Sequence, residues 1–391
     1  MNWPERPPAH YRRVVAEARV AFVMEQNLGH ITHFQNLRAV VSRQTAVKPT
    51  WIPIPFGPGG LGRLVPGYAG NWSLRAGYRA RRRLARELGA RQHDAIFFHT
   101  QVTALFSRAL MRSVPAVVSL DATPINYDSV GAAYGHRAAG GSWLDHRKFA
   151  INREVFHTAL RLVAWSEWAR DSLVADYGVP GDRITVIPPG ASDSYLTLGD
   201  ERMKGGREPD TERPVRLLFV GNDFERKGGP LLLESIRAIR TRRRFEVHVV
   251  TARAIPETRD VIVYHGVTPN SDSLRQLFRD ADIFVLPSLG ECLAIALMEA
   301  AAAGLPVVAT NVGAMAEAAM PGRTALVVSP GDGTALRAAL ETLIDNEPFR
   351  ISLGREGHVL ARQRFDAEKN GNRLLELIVE ATRASATRRV A

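Results

Sequence analysis

The chain has 391 residues, 45% of them hydrophobic, with 51 Lys and Arg against 40 Asp and Glu for a net charge of +11. That size and apolar content exclude a disordered tail and suit two domains, and the positive balance favours anionic partners. A single cysteine, Cys292, excludes an intramolecular disulfide, and no cluster of Cys and His at metal-ligand spacing calls for structural zinc.

The first apolar stretch is interrupted by Glu17 and Arg19, so no secretory leader is expected and the location is read as cytoplasmic. Short apolar runs at 19–24, 95–98, 116–120, 162–165 and 184–187, with helical patterns between several of them, predict βα units on a parallel sheet. Segment 52–70, rich in Pro and Gly, is expected to be irregular, and a loop that long is often functional. The run Arg79-Ala80-Arg81-Arg82-Arg83-Leu84-Ala85-Arg86, preceded by Trp72, Leu74, Arg75 and Tyr78, predicts a basic helix. Such a helix is either a solvated cationic face or a surface for an anionic membrane, which would place the protein peripherally at the inner face of the plasma membrane. No nucleic-acid motif accompanies the charge, so no nucleic acid partner is expected.

Segment 191–214 carries many charges and several Gly and Pro with little periodicity, and reads as a linker. After it the pattern restarts. Strands are predicted at 215–220, 245–250, 261–264, 283–286, 306–309 and 325–328, and helices at 230–240, 271–279 and 293–303. The tail beyond Pro330 is predicted helical from Leu336, Leu340, Leu343, Ile344, Leu374, Leu375, Leu377 and Ile378. The apolar stretch 292–309 holds Glu299, Gly304 and Pro306, which argues against a membrane span. The domains expected are 14–190, a linker 191–214, 215–365, and a final helix and tail 366–391.

Open parallel sheets bind ligands at the carboxyl ends of their strands, so the motifs that follow strands carry the chemistry. The first, VGNDFERKG at 220–228, sets Gly221, Asn222, Arg226 and Lys227 between a strand and a helix. Glycine permits close backbone approach, Arg226 suits bidentate phosphate binding and Lys227 adds a point charge; a turn with two solvated cations fits the same residues. The second motif, PSLGECLAIALME at 287–299, places Glu291 in the loop after a strand and Glu299 in the following, otherwise apolar helix. Carboxylates so placed suit two sets of sugar hydroxyls while the helix N-terminus faces phosphate. A solvent-facing Glu is the usual alternative, but a carboxylate among apolar neighbours needs a partner.

In order, FVGNDFERKGGPLLLESI, VYHGVTPNSDSLRQLFRDADIFVLPS, the spaced Glu291 and Glu299, and AGLPVVATNVGAMAEAA resemble the donor-binding domain of a GT-B glycosyltransferase of family 4. That family is retaining and uses nucleotide sugars. The resemblance implies an α/β fold of two Rossmann-like domains facing across a cleft, the acceptor-binding domain first and the donor-binding domain second, with the final helices crossing back to the first. It covers most of 215–329. In the first half, Glu25-Gln26-Asn27-Leu28-Gly29-His30, VAWS at 163–166 and VIPPG at 186–190 fit less tightly.

Position by position, the resemblance implies that Arg226 and Lys227 neutralise the donor diphosphate, with Gly29, Gly221 and Asn222 beside them. Glu299 would bind the ribose, and Glu291 the transferred sugar. The amides of Leu293 and Ala294 would face the phosphates or the sugar, and His265, Gly266 and Val267 the base. Three departures stand out. Asn222 replaces an Arg that the family often carries, Cys292-Leu293-Ala294 replaces its Gly-Phe-Gly, and Asp121 replaces its acceptor-domain histidine, so Asp121 joins the catalytic candidates.

His30, His99 and Tyr127 are assigned to the acceptor side; His30, like His33, equally suits a structural hydrogen bond. Asp280-Ala281-Asp282 matches a short metal-binding acidic pattern, but Asp282 is read as a strand-start residue and no metal is expected. Cys292 lacks a neighbouring base and is read as a packed residue. The expected reaction takes no cofactor and moves a hexose from a UDP- or GDP-sugar to a carbohydrate, lipid-linked or small-molecule acceptor. Cell-envelope glycan, exopolysaccharide or glycolipid synthesis is the setting it implies. A nucleotide-sugar epimerase of the same architecture and a non-catalytic sugar-nucleotide or membrane-binding protein are the rival readings.

Overall fold

The computed structural model describes residues 17–27, 29–55, 57, 71–135, 140–205 and 213–390, with side chains described to Arg383. Two six-stranded parallel sheets form its frame. The first holds β1 (Ala18–Gln26), β2 (Val47–Pro55), β3 (Ala95–His99), β4 (Ala116–Leu120), β5 (Arg161–Ala164) and β6 (Ile184–Val186) in the order β2-β1-β3-β4-β5-β6. The second holds β7 (Val215–Val220), β8 (Phe245–Val250), β9 (Val261–Tyr264), β10 (Ile283–Leu286), β11 (Val307–Thr310) and β12 (Ala325–Val328) in the order β12-β11-β10-β7-β8-β9. Helices cover both faces, which is why β3, β4 and β10 are buried along their whole length.

All eleven predicted strands match within a few residues, and β1 runs two residues further than expected at its C-terminal end. The strand missing from the sequence reading is β2, VKPTWIPIP, whose last four residues occupy the start of the segment expected to be irregular. Its three prolines share one parity and pair with Val20, Met24 and Gln26. The strand lies at the sheet edge, where a missing N–H costs no ladder bond. Of the remainder of that segment, 56 and 58–70 lie outside the described residues, as do 14–16 and 206–212.

The linker expectation is corrected in part. Residues Asp193–Lys204 form a helix whose Tyr195, Leu196 and Leu198 are buried in the second domain's core. Burial of one turn decides the conformation here against a polar, weakly periodic sequence. The final helix, Ala367–Val390, crosses back as expected and buries Leu374, Leu375 and Ile378 beside Phe22, Leu37 and Val40 of the first domain.

The outgoing and returning crossings are tied together. Ala191 N donates to Phe365 O at 2.7 Å and Ala367 N to Ala191 O at 3.0 Å. Gly190 stands beside this tie with φ 79°, and a Cβ there would meet Phe365 O at 2.6 Å and Ala367 N at 2.8 Å. Gly190→Ala therefore meets both a left-handed backbone and a backbone clash, and is expected to destabilise the protein by roughly 2–3 kcal/mol. A lowered urea midpoint would show it; an unchanged midpoint would mean the crossing adapts.

Candidate active site

Each sheet reverses its strand order at one point, between β1 and β3 in the first and between β7 and β10 in the second. Ligand crevices form at such points, and both predicted motifs of the second domain follow strands that flank its reversal. The two loops are clamped to each other. Leu289 N donates to Arg226 O at 2.8 Å, and Gly228, with φ 78°, lies against the Pro287 carbonyl, which leaves no room for a Cβ. Gly221 is also tightly packed, since a Cβ there would meet Lys227 Cδ at 2.8 Å and the Phe219 ring at 2.9 Å.

This clamp turns Arg226 inward. Its side chain is 3% exposed; Nε donates to Asp223 Oδ2 at 2.8 Å, and Nη1 to Gly290 O at 2.7 Å and Glu291 Oε2 at 3.1 Å. Lys227 Nζ donates to the same Glu291 oxygen at 2.8 Å. Burial alone would raise the Glu291 carboxyl, but Lys227 and Arg226 outweigh it and hold it at about 2. Glu299 lies in the helix Ile295–Ala302, is buried, and is pushed up to about 8 by that burial, with Lys227 opposing. The predicted helix start at 293 is corrected by two residues: Leu293 is buried and Ala294 is the N-cap, so Glu299 stands a little over one turn inside.

The first domain presents a second constellation at its own reversal. Thr100, held at φ 88° just after β3, donates to the buried Glu25 Oε2 at 2.6 Å. His30 Nε2 lies 3.7 Å from Glu25 Oε1 and 3.8 Å from Asp121 Oδ2, and its Nδ1 is 3.4 Å from His99 Nε2. The rings of His30, His33, His99 and Trp165 stand within contact of one another. Burial lowers His33 to about 3 and His99 well below its ordinary value, so both stay neutral; burial raises Glu25 against the pull of His30.

The cleft between the domains is narrow. A Cβ on Gly29 would lie 3.8 Å from Ile295 Cδ1, so the helix Gly29–Ser42 starts opposite the helix that carries Glu299. The structure thus gathers Gly29, Gly221, Arg226, Lys227, Glu291, Leu293, Ala294 and Glu299 around one cleft, with His30 and Asp121 on the other wall; the acceptor-side assignment of His99 is corrected, because its ring is fully buried behind His30. Asn222 is exposed at the loop edge. His265, Gly266 and Val267 follow the edge strand β9, with His265 Nδ1 2.9 Å from Thr251 O. Tyr127 is half-buried, its ring 4.9 Å from that of Tyr134. Asp282 is a strand-start residue as read: its carboxylate accepts from Arg216 N at 2.8 Å and Arg213 Nη2 at 2.7 Å. Tyr134, an unassigned aromatic in the sequence, enters the site against Arg226 and Glu291; nothing local to its sequence marks it, because its partners lie about 90 and 160 residues away.

Residues 6–195 match the family model described as Glycosyltransferase Family 4, and residues 214–346 match that of Glycosyl transferases group 1. The D-inositol 3-phosphate glycosyltransferase of Paenarthrobacter aurescens is 31% identical over 214 residues, 50% of this chain and 52% of that relative. The chain spans about half the length of the curated relatives it matches. Sucrose-phosphate synthase from Thermosynechococcus elongatus superposes with a TM-score of 0.70 at 16% identity, covering 94% of this chain and 100% of that one. The Anabaena HepE structure in complex with UDP and glucose gives 0.65 at 16% identity, with 93% and 100% covered. These likenesses show the shared two-domain fold.

The shift at Glu299 has a defined sign. In the folded chain its proton stays on up to about 8, whereas the unfolded chain releases it from the ordinary 4.5. The folded state therefore binds more protons between these values, and stability falls as pH rises through that window. Glu299→Gln keeps a neutral group and removes the loss. The gain in unfolding midpoint of the Gln variant over wild type is expected to grow from pH 5 to pH 8, and a pH-independent difference would contradict the buried neutral carboxyl.

Proposed function

The chain belongs to the family 4 glycosyltransferases with their GT-B architecture, and from that premise we propose that it moves a hexose from a UDP- or GDP-sugar to an acceptor hydroxyl with retention at the anomeric carbon. The observation that carries this reading is the meeting of Lys227, Glu291 and Glu299 at the strand-order reversal of the second sheet. Lys227 takes the diphosphate together with the amides at the start of Ile295–Ala302. Arg226, buried by its bonds to Asp223, Gly290 and Glu291, acts from behind by holding Glu291 toward the sugar hydroxyls. Glu299 accepts the ribose hydroxyls, and His265 to Val267 line the base.

The bond from the anomeric carbon to the diphosphate oxygen breaks as the acceptor oxygen bonds on the same face, and the acceptor proton passes to the departing phosphate oxygen. Charge on the leaving group is met by protein cations and helix amides, so the reaction is proposed to need no metal or cofactor. His30, Asp121 and Tyr127 line the acceptor side, with His99 buried behind His30. Inositol phosphate, from the names of the curated relatives, joins carbohydrate and lipid-linked acceptors as candidates. An epimerase would act on the donor without any acceptor.

Calorimetric binding of UDP, GDP, ADP and their common sugar conjugates, with chelator present, is expected to select one nucleotide. Lys227→Ala is expected to weaken it by at least about tenfold with the far-UV spectrum unchanged. No binding of any nucleotide to the wild type would overturn the reading.

We further propose peripheral membrane attachment in the service of cell-envelope glycan, exopolysaccharide or glycolipid synthesis. The helix Trp72–Ala90 places Leu74, Tyr78, Arg82 and Arg86 at four-residue spacing, all exposed, with Leu74 43% and Tyr78 55% accessible. Arg79 instead donates to the carbonyls of Pro55 and Gly57, and Arg83 to that of Pro53, which leaves Arg81, Arg82 and Arg86 for a surface. Among the described residues no helix is long and apolar enough to cross a membrane. Wild type is expected to float with anionic vesicles and a variant with Arg81, Arg82 and Arg86 changed to Glu is not; equal absence from the vesicles would end this part of the proposal.

A further inference from the structure

We propose that Tyr134, which the acceptor domain sends into the donor site, is the positioning residue that completes the sugar pocket when the two domains close. The inference rests on Glu291 as the group that holds the transferred sugar. Tyr134 ends the short helical turn Gly131–Tyr134, and Gly135 with φ 67° terminates it. The turn sits directly on the loop that carries Glu291: a Cβ on Gly290 would meet Ala133 Cβ at 2.5 Å and Val130 O at 2.8 Å. Only glycine lets the two backbones come this close.

From there the phenol reaches both functional side chains. The Tyr134 ring lies 4.3 Å from the Arg226 guanidinium carbon, stacked for a cation–π contact. Its hydroxyl accepts from Arg226 Nη1 at 3.2 Å and donates to Glu291 Oε1 at 3.4 Å. The second carboxylate oxygen, Oε2, is taken by Arg226 and Lys227. Each oxygen of Glu291 is thus fixed by a different domain, Oε2 from within the donor domain and Oε1 from across the cleft. Ala122, Val130 and Cys292 form a small buried cluster under Tyr134 and Tyr127, so the contact is packed on both sides. Burial and the neighbouring Glu291 keep the phenol protonated, as a donor to that carboxylate must be.

A residue acting this way distinguishes sugar from nucleotide. The nucleoside diphosphate part meets groups that Tyr134 does not touch, Lys227 and the helix amides among them, whereas the sugar meets a Glu291 whose rotamer Tyr134 sets. The test compares full-length wild type, Tyr134→Ala and Tyr134→Phe for calorimetric binding of UDP against UDP-glucose and GDP against GDP-mannose. With the nucleotide that binds, Tyr134→Ala is expected to weaken the sugar conjugate by at least about tenfold while the free diphosphate stays within about twofold. Tyr134→Phe, which keeps the ring over Arg226 and loses the bond to Glu291, is expected to fall between. Equal weakening of both ligands, or of neither, would overturn the proposal. If wild type binds no nucleotide, the glycosyltransferase reading fails on its own, and small-angle scattering then decides for Tyr134: a larger radius of gyration in Tyr134→Ala supports its role in closure, and an equal radius refutes it.

Discussion

The ion pair of Glu291 with Arg226 and Lys227 is the constraint on which the rest of the cleft depends. A buried guanidinium without its carboxylates would cost several kcal/mol, so the loops after β7 and β10 must stay in contact as long as Arg226 is inside. The tight glycines follow from this. Gly221 makes room for the Lys227 stem and Gly228 for the Pro287 carbonyl, and each brings a cation toward the one carboxylate. Asp223 completes the cluster at 2.8 Å from Arg226 Nε, so two cations face two carboxylates. Glu299, close enough to feel Lys227, remains outside this balance as a neutral acid.

The second constraint is the placement of two sheets with their strand-order reversals face to face. Each reversal splays the helices on either side and leaves backbone amides and side chains at strand ends uncovered. In the first sheet the open ends belong to β1 and β3, where His30 lies partly exposed over the buried Glu25, His99 and Thr100. In the second they belong to β7 and β10. The returning helix Ala367–Val390 fixes the first domain to the second through its packing on Phe22, Leu37 and Val40. Glu317 of the second domain adds a polar tie by accepting from the amides of Glu167 and Trp168 at 3.0 Å each, at the N-terminus of the helix Glu167–Ala175 where a carboxylate is favoured.

Periodicity and strand-end motifs made most of this legible. Apolar runs located eleven of the twelve strands in their own right, the four-residue β12 among them, and the order of motifs after β7 and β10 carried the donor-side residues. Three features were hidden, each for a physical reason. Prolines in β2 suppress the strand signal because propensity assumes a central strand, whereas an edge tolerates them. The helix Asp193–Lys204 owes its existence to the burial of Tyr195, Leu196 and Leu198 rather than to its polar composition. Tyr134 belongs to a contact between domains, and no local pattern reports such a contact.

The departures from the family pattern at Cys292-Leu293-Ala294 make sense in the same terms. Ala294 is the N-cap of its helix at φ −79° and ψ 118°, a conformation open to any residue, so glycine's backbone freedom is not needed there. What a side chain at this position changes is the space above the helix N-terminus. Cys292 fills a different role, since it is buried with Ala122 and Val130 of the first domain and lies under Tyr134. Burial pushes its thiol well above the ordinary range, which suits packing and disfavours a nucleophilic thiolate. Where a glycine would leave the loop free to approach a ligand, this chain has a side chain that binds the loop to the opposite domain. The altered segment therefore moves part of the site's definition from backbone approach within one domain to packing between two.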